Sequence, residues 1–323
     1  MKVLILVAAL GLATYASEQQ QAKTILDTAG VKGGLVVHLG CGDGKLTAAL
    51  RVNDSFLVQG LDTNTKNVAA ARQLVQSLGL YGKVSIEQFD GQRLPYADNL
   101  VNLIVTSDAC RVPEAELLRV LAPNGVALVG GKKTVKPRPK EIDEWTHYLH
   151  DSSNNAVSHD TVVGPPRHMQ WVGDPAWGRH HDHVASLNAM VSTGGRLFAI
   201  IDEAPTVSIL FPPKWSLVAR DAFNGTVLWK RPISEWVNHL WPLKSGPAQL
   251  PRRLVAVGDR VFVTLGIDAP LTMLDAATGA TIRTYPETHG TEEVIFHDGL
   301  LFVLTSQAPN PWKDYRVESL ASG

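Results

Sequence analysis

Short apolar runs alternate with amphipathic segments over the first 130 residues of the chain. Apolar runs at 35–39, 56–61, 84–89, 100–106 and 126–129 predict five strands. Residues 18–30, 45–51, 65–80 and 114–121 predict helices, and a turn is expected at 122–125. The third helix repeats apolar residues on one face: Val68, Ala71, Val75 and Leu78. Alternating strands and helices predict an α/β, Rossmann-like, doubly wound parallel sheet with strand order 3-2-1-4-5.

A different pattern begins near residue 190, where two sequence elements recur. The blocks GGRLFAII (194–201), GDRVFVTL (258–265) and DGLLFVLT (298–305) align, with Phe198, Phe262 and Phe302 in register. A second element, at 217–232 and 271–286, carries an Asn-Gly or Thr-Gly turn between apolar runs, which is a hairpin signal. A period near 40 residues with several strands per unit is typical of propeller blades. We therefore predict an all-β, incomplete propeller of two blades and part of a third.

Composition excludes several classes of function. The chain has 323 residues, 45% of them hydrophobic, and a formal net charge of −1. It can therefore form two packed domains, and it has no excess basic charge to bind nucleic acid. Its two cysteines, Cys41 and Cys110, are too few for a disulfide scaffold or a cysteine-based zinc cluster.

The N-terminus resembles an export signal. One lysine precedes a short apolar run, and small residues precede Ser17, which predicts a signal peptide at 1–16 and a periplasmic or cell-envelope location. The alternative is a buried first element in a cytoplasmic protein. No segment is long and apolar enough to predict a transmembrane helix.

Three glycines follow the first predicted strand, in the stretch HLGCGDG at 38–44. Glycine permits a tight turn and lets a ligand approach the backbone closely. Asp62 ends the second strand and can accept hydrogen bonds from a ribose diol, while Asp90 and Gly91 follow the third strand, beside an adenine edge. These residues predict a nucleotide-cofactor pocket at the carboxyl edge of the sheet.

This arrangement resembles the class I S-adenosylmethionine-dependent methyltransferases over residues 22–132. Segments 94–108 and 120–131 also look like that family's later motifs. A nicotinamide dehydrogenase fits less well, because its usual pattern is GxGxxG. The resemblance implies S-adenosylmethionine held by His38, Gly40, Cys41, Gly42, Asp43, Gly44, Asp62, Asp90 and Gly91. Thr106-Ser107-Asp108 stands after strand four in place of an Asn-Pro-Pro-Tyr type loop, so no catalytic base or methyl acceptor is named.

Two features depart from that family. His38 stands two residues before the first glycine, where the family usually has an acidic residue, and histidine carries no permanent negative charge. The family's last strands, beside strand five, are not evident after Gly131. The basic segment Lys132–Lys140 is instead expected to be a solvated linker.

Seven of the eleven histidines fall between residues 141 and 183. Such a segment could ligate a metal or perform acid–base chemistry, and HHDH at 180–183 invites the metal interpretation. No HExxH pattern is present, so we expect an irregular connection held by side-chain hydrogen bonds and no metal site. The histidines concerned are His147, His150, His159, His168, His180, His181 and His183.

The repeats resemble those of pyrroloquinoline-quinone-type propellers. Their tryptophan-docking motif is matched by Ala219, Asp221, Asn224, Gly225 and Trp229. In the second copy Asp275, Thr278 and Gly279 match, but Arg283 replaces the tryptophan. Cofactor-free envelope scaffolds share this repeat, and the quinone enzymes' adjacent cysteine pair is absent. We therefore expect no bound quinone, and we expect Trp229 to pack between neighbouring blades.

Taken whole, the chain resembles the N-terminal part of bacterial exported fusion proteins. The predicted organisation is a signal peptide (1–16), a methyltransferase-like domain (17–132), a linker with the histidine-rich segment (133–185) and propeller repeats (186–323). The first hypothesis is a methyltransferase of unknown acceptor. The alternative is a non-catalytic envelope scaffold that binds a partner through its propeller, and a quinone-dependent dehydrogenase ranks third. Cys41 and Cys110 are expected at one sheet edge beside the pocket, as free thiols rather than a disulfide.

Overall fold

A computed structural model describes most of the chain. The predicted signal peptide, Cys110, most of HHDH and the end of the last repeat lie outside the described residues. Within them, no helix is long and apolar enough to cross a membrane. The chain divides into two compact units, one of residues 1–139 and 223–228 and the other of residues 140–222 and 229–323. The described residues are 17–107, 111–162, 164–165, 169–175, 177–179, 183–208 and 210–309.

The first unit is built on a six-stranded sheet of order β3-β2-β1-β4-β5-β6. The first five strands are parallel, which confirms the predicted doubly wound sheet. The sixth runs antiparallel to β5 and pairs Val135 with Val126, so the segment expected to be a linker from Lys132 begins as an edge strand. The strands are β1 (Gly34–Leu39), β2 (Phe56–Asp62), β3 (Val84–Gln88), β4 (Val101–Thr106), β5 (Leu121–Val129) and β6 (Lys132–Val135).

In the described part of this unit, four helices accompany the sheet: α1 (residues 17–29), α2 (Lys45–Ala49), α3 (Thr65–Ser77) and α4 (Glu114–Val120). Asn64 caps α3 by accepting a hydrogen bond from the Lys66 backbone N–H. The prediction that α3 reaches residue 80 is wrong, because Gly79 takes a left-handed conformation and Leu78 is 40% exposed. The turn predicted at 122–125 lies inside β5, where the pairing with β4 is irregular.

Side chains of β1 alternate between two hydrophobic clusters, one on each face of the sheet. Val36 packs in the cluster that includes Val68, Ala71 and Val75 of α3. Val37 and Leu39 pack in the other, which includes Leu117 and Val120 of α4. Both faces of β1 are therefore buried, which agrees with its almost entirely apolar sequence. Packing on both faces fixes the position of its carboxyl end.

The described residues of the second unit form three antiparallel sheets, in each of which neighbouring strands are consecutive in sequence. Each aligned phenylalanine lies in the second strand of its sheet, as the repeat predicts; Phe198 and Phe262 are buried and Phe302 is exposed. These sheets agree with blade-like repeats, and a closed propeller stays a prediction. The strands are β7 (Leu187–Thr193), β8 (Arg196–Asp202), β9 (Trp215–Asp221), β10 (Val227–Pro232), β11 (Leu254–Val257), β12 (Arg260–Thr264), β13 (Leu271–Asp275), β14 (Thr281–Tyr285), β15 (Thr291–His297) and β16 (Leu300–Thr305).

Trp229 of β10 docks on the turn that follows β13 in the next sheet. Its indole N–H donates to the Ala276 carbonyl at 3.0 Å, and its ring lies 5.8 Å from that of Phe198, centroid to centroid. A Cβ added to Gly279 would come within 2.6 Å of the indole, so glycine is required for this contact. Trp229 is 9% exposed, which confirms that it packs between neighbouring sheets.

Replacement of this tryptophan tests the packing. Trp229→Ala should lower the free energy of unfolding by about 3–5 kcal/mol, because it leaves a cavity and removes a buried hydrogen bond. Chemical denaturation followed by circular dichroism measures the change. Trp177 is 78% exposed, so Trp177→Ala is the matched control and should change stability little. Equal losses in both variants would contradict the docking role of Trp229.

Candidate functional site

The loop after β1 is held against the end of β2 by backbone hydrogen bonds. The N–H groups of Gly40 and Cys41 both donate to the Leu61 carbonyl, at 2.8 and 3.2 Å. Gly40 has a φ of 72°, and a Cβ added there would meet no atom of the described residues within 4 Å. At Gly44 an added Cβ would lie 2.8 Å from the Ala71 Cβ, so this glycine permits close packing against α3. The two glycines therefore serve different purposes, one leaving open space and the other permitting close packing.

Asp62 joins the end of β2 to this loop. One of its carboxylate oxygens, Oδ2, accepts hydrogen bonds from the Gly42 N–H at 3.0 Å and the Asn67 side chain at 3.2 Å. Its Oδ1 accepts from the Asn64 N–H at 2.8 Å. Asp62 is 5% exposed, and these donors offset the cost of burying a carboxylate. Asp62 thus positions the glycine loop as well as facing the cavity described next.

A cavity of about 640 Å³ opens at the carboxyl edge of the parallel sheet. Its volume is in the range usual for small-molecule and cofactor sites. Four predicted residues line it: Gly40, Asp62, Asp90 and Gly91. The rest of the lining was not predicted and comprises Leu39, Thr63, Phe89, Gln92, Thr106, Ser107, Arg111, Val112 and Pro113.

Asp90 presents an ionised carboxylate to this cavity. The backbone N–H groups of Gln92 and Arg93 both donate to its Oδ1 at 2.8 Å. These hydrogen bonds lower the pKa of Asp90 below its ordinary value. Gly91 has a φ of 83°, which lets the chain turn directly after this acid.

The other predicted cofactor residues are not among the residues that line the cavity. Gly42 and Gly44 shape the loop, as described above. Cys41 is a buried free thiol, and burial, together with the Asp62 charge, raises its pKa to about 12. Asp43 is exposed and forms an ion pair of 2.7 Å with Lys45. We interpret these positions as supports of the loop.

His38 is also enclosed, beneath the same loop. Its Nδ1 lies 2.8 Å from the Thr47 hydroxyl of α2. Burial lowers the pKa of His38 to about 4, although the charge of Asp62 opposes the shift. The imidazole is therefore neutral at pH 7 and supplies no charge to a ligand.

The histidine-rich segment lies in the second unit, and His147 makes side-chain hydrogen bonds, as expected for an irregular connection. The Nδ1 atom of His147 lies 2.7 Å from the Thr146 hydroxyl, and its Nε2 accepts from the Phe296 N–H at 3.1 Å. Both ring nitrogens are thus used in packing an irregular connection. His168, His180 and His181 lie outside the described residues.

Comparisons with known proteins find sequences similar to the first unit. A family described as a methyltransferase domain matches residues 36–125. Over 126 residues the chain is 34% identical to a demethylmenaquinone methyltransferase of Lactobacillus johnsonii, covering 36% of this chain and 51% of that protein. Over 146 residues it is 30% identical to a ubiquinone/menaquinone biosynthesis C-methyltransferase UbiE of Klebsiella pneumoniae, covering 42% and 58%. The chain therefore spans about half the length of the curated relatives it matches.

Among solved structures, a SAM-dependent methyltransferase from Aquifex aeolicus matches 33% of this chain and 62% of its own, with 25% identity and a TM-score of 0.31. The family match and the curated relatives show that the first unit is similar to a methyltransferase domain.

The buried His38 gives a prediction for pH dependence. The pKa of His38 is lower in the folded protein than the ordinary value of 6.5. As the pH falls, the histidine of the unfolded chain is therefore protonated at a higher pH than that of the folded protein. The stability of the first unit should then fall by about 3 kcal/mol as the pH drops from 6.5 through 4. His38→Asn removes the titrating group, and its unfolding free energy should fall less over that range.

Denaturation of both proteins at several pH values measures this difference. His147 also has its pKa lowered to about 4 by burial, but it is present in both proteins and cancels. Parallel pH profiles for wild type and His38→Asn would contradict a buried, neutral His38.

Proposed function

We propose that the first unit binds S-adenosylmethionine in the cavity beside Gly40 and transfers its methyl group to an acceptor. The observation that carries the proposal is that Gly40, Asp62 and Asp90 line one cavity at the carboxyl edge of the sheet. These residues fit the cofactor, because bare backbone admits it closely and carboxylates accept from its hydroxyl and amino groups.

Each residue has a distinct part in this proposal. Asp62 accepts a hydrogen bond from the ribose hydroxyls through its Oδ1, because that oxygen accepts only from the Asn64 N–H among the described residues and keeps a further lone pair. Asp90 lies on the adenine side, and like any aspartate of ordinary or lowered pKa it is ionised at neutral pH. The cofactor supplies a methyl group on a positively charged sulfur. No residue is assigned as a catalytic base.

A quinone precursor is the first acceptor class to test. The support is the naming of the matched relatives, which are demethylmenaquinone and ubiquinone/menaquinone methyltransferases. Phe89, Val112 and Pro113 add apolar surface to the cavity lining, which suits a flat, apolar ring.

A second candidate is a scaffold that has kept the pocket but does not transfer methyl groups. The specific observation that favours it is His38, which is neutral where the family usually has an acid. An exported location, proposed from residues 1–16, agrees with this alternative because S-adenosylmethionine is made in the cytosol. Binding without turnover toward any quinone precursor would favour the scaffold.

The role of Asp62 is tested by a conservative replacement. Asp62→Asn should weaken binding of S-adenosylmethionine and S-adenosylhomocysteine by roughly 10- to 100-fold, because it removes a charge-assisted hydrogen bond. Isothermal titration calorimetry of the full chain measures both affinities.

Asp54→Asn is the matched control, because the Asp54 side chain is 97% exposed and does not line the cavity. Its affinity should equal that of the wild type. Wild-type protein that gives neither heat nor a thermal shift with millimolar ligand would overturn the proposal.

Alanine substitutions of Gly40 and Gly44 distinguish an effect on ligand affinity from an effect on the stability of the fold. In Gly40→Ala the new methyl enters open space, so the fold should lose only about 1–2 kcal/mol from the left-handed backbone, while ligand affinity falls at least tenfold. In Gly44→Ala the methyl meets Ala71, so the melting temperature should fall further. Melting curves and calorimetry distinguish the two effects. Unchanged affinity in Gly40→Ala would show that the ligand does not approach this backbone.

A further inference from the structure

A second group of ligand-type side chains lies in the second unit, in the segment expected to hold no metal. Asp143, His150 and His159 each offer one ligand atom, and these atoms lie within 4.8 Å of one another. We propose that they form a binding site for a divalent transition-metal ion of the zinc class, with water completing the coordination.

The donor set suits such an ion. Zinc binds imidazole nitrogen and carboxylate oxygen at about 2.0–2.2 Å, so two ligand atoms on one ion lie roughly 3–4 Å apart. Two imidazoles and a carboxylate also favour transition metals over magnesium or calcium, which prefer oxygen ligands alone. Three protein ligands leave at least one position for water.

The geometry needs only a small adjustment to admit the ion. His150 Nε2 lies 2.7 Å from Asp143 Oδ2, which is a hydrogen-bond distance. The rings of His150 and His159 are 5.1 Å apart, centroid to centroid, and nearly perpendicular. A metal ion would replace the proton shared by His150 and Asp143, and the two atoms would separate slightly.

His150 is held in place for this role. It is 2% exposed, and its backbone φ is 77°, a left-handed conformation that is uncommon outside glycine. Reciprocal backbone hydrogen bonds with His147, of 3.1 and 3.2 Å, close the turn that imposes it. Such strained positions concentrate at functional sites.

The other ring nitrogen of His150 is also suitably placed. Its Nδ1 is buried, has no hydrogen-bond partner among the described residues, and lies 3.5 Å from Asp151 Oδ2. A proton on Nδ1 facing that carboxylate leaves Nε2 free to bind metal, which is the usual arrangement of a metal-bound histidine.

The neighbouring His147 is excluded from the set, because both its nitrogens have protein partners. His159 is exposed, unlike His150. One side of the site is therefore open to solvent, where water can complete the coordination.

Zinc titration of the untagged full chain tests the proposal. Calorimetry should give one zinc ion per chain with a dissociation constant in the micromolar range or below. Cobalt(II), used as a probe, should give visible absorption bands of a low-coordinate nitrogen and oxygen site. His159→Ala should weaken zinc binding at least tenfold and reduce the cobalt bands.

This variant is expected to fold, because the His159 side chain is exposed and its backbone N–H, which donates to Asp143, is retained. His289→Ala, which removes another exposed histidine, is the matched control and should bind zinc as the wild type does. Zinc binding that persists unchanged in His159→Ala, or no stoichiometric binding at all, would overturn the proposal and leave only a hydrogen-bonded network.

Discussion

The hydrogen bond between the Asp62 carboxylate and the Gly42 N–H is the interaction on which the first unit's site depends. It joins the carboxyl ends of two neighbouring parallel strands, β1 and β2, through the loop between β1 and α2. A buried carboxylate without donors would cost several kcal/mol. The Asn64 N–H and the Asn67 side chain supply the remaining donors. These hydrogen bonds hold the Asp62 carboxylate at the cavity wall, and the same carboxylate fixes the glycine loop that borders the cavity.

The second unit is organised on a different basis. Its sheets are meanders of consecutive strands, so most of their contacts are local, and the indole of Trp229 connects one sheet to the turn of the next. In repeat architectures, stability is shared between each repeat and its interface with a neighbour. The Asp275 carboxylate accepts three hydrogen bonds from residues 277–278 and thereby shapes the turn on which the indole rests.

The strands and repeats that could be predicted from the sequence have a regular hydrophobic pattern and clear turn residues at their ends. Strands β1, β2 and β4 are apolar runs bounded by glycine or polar turns, and the repeat predicted the docking of Trp229. Strand β6 was missed because its four residues, KKTV, are mostly polar, and only pairing with β5 makes them a strand. The end of α3 was misplaced because apolar residues continue past Gly79.

The same contrast applies to the two sites. The acidic residues and glycines that follow strands one to three were predicted from the sequence as cofactor-binding residues. The cavity-lining residues from Arg111 to Pro113 were not predicted, because they precede a helix and match no sequence motif. Thr63, Phe89 and Ser107 follow strand ends and could have been found by taking the first residues after each strand. Asp143 and His159 lie sixteen residues apart in an irregular segment, so only the folded chain brings them together.

The central claim is that the cavity beside Gly40 is the S-adenosylmethionine site. A crystal structure of the full chain grown with S-adenosylhomocysteine tests it most directly. We expect the ligand in this cavity, with its ribose hydroxyls on Asp62 and its adenine beside Asp90. A saturating ligand bound elsewhere on the chain, with this cavity empty, would contradict it.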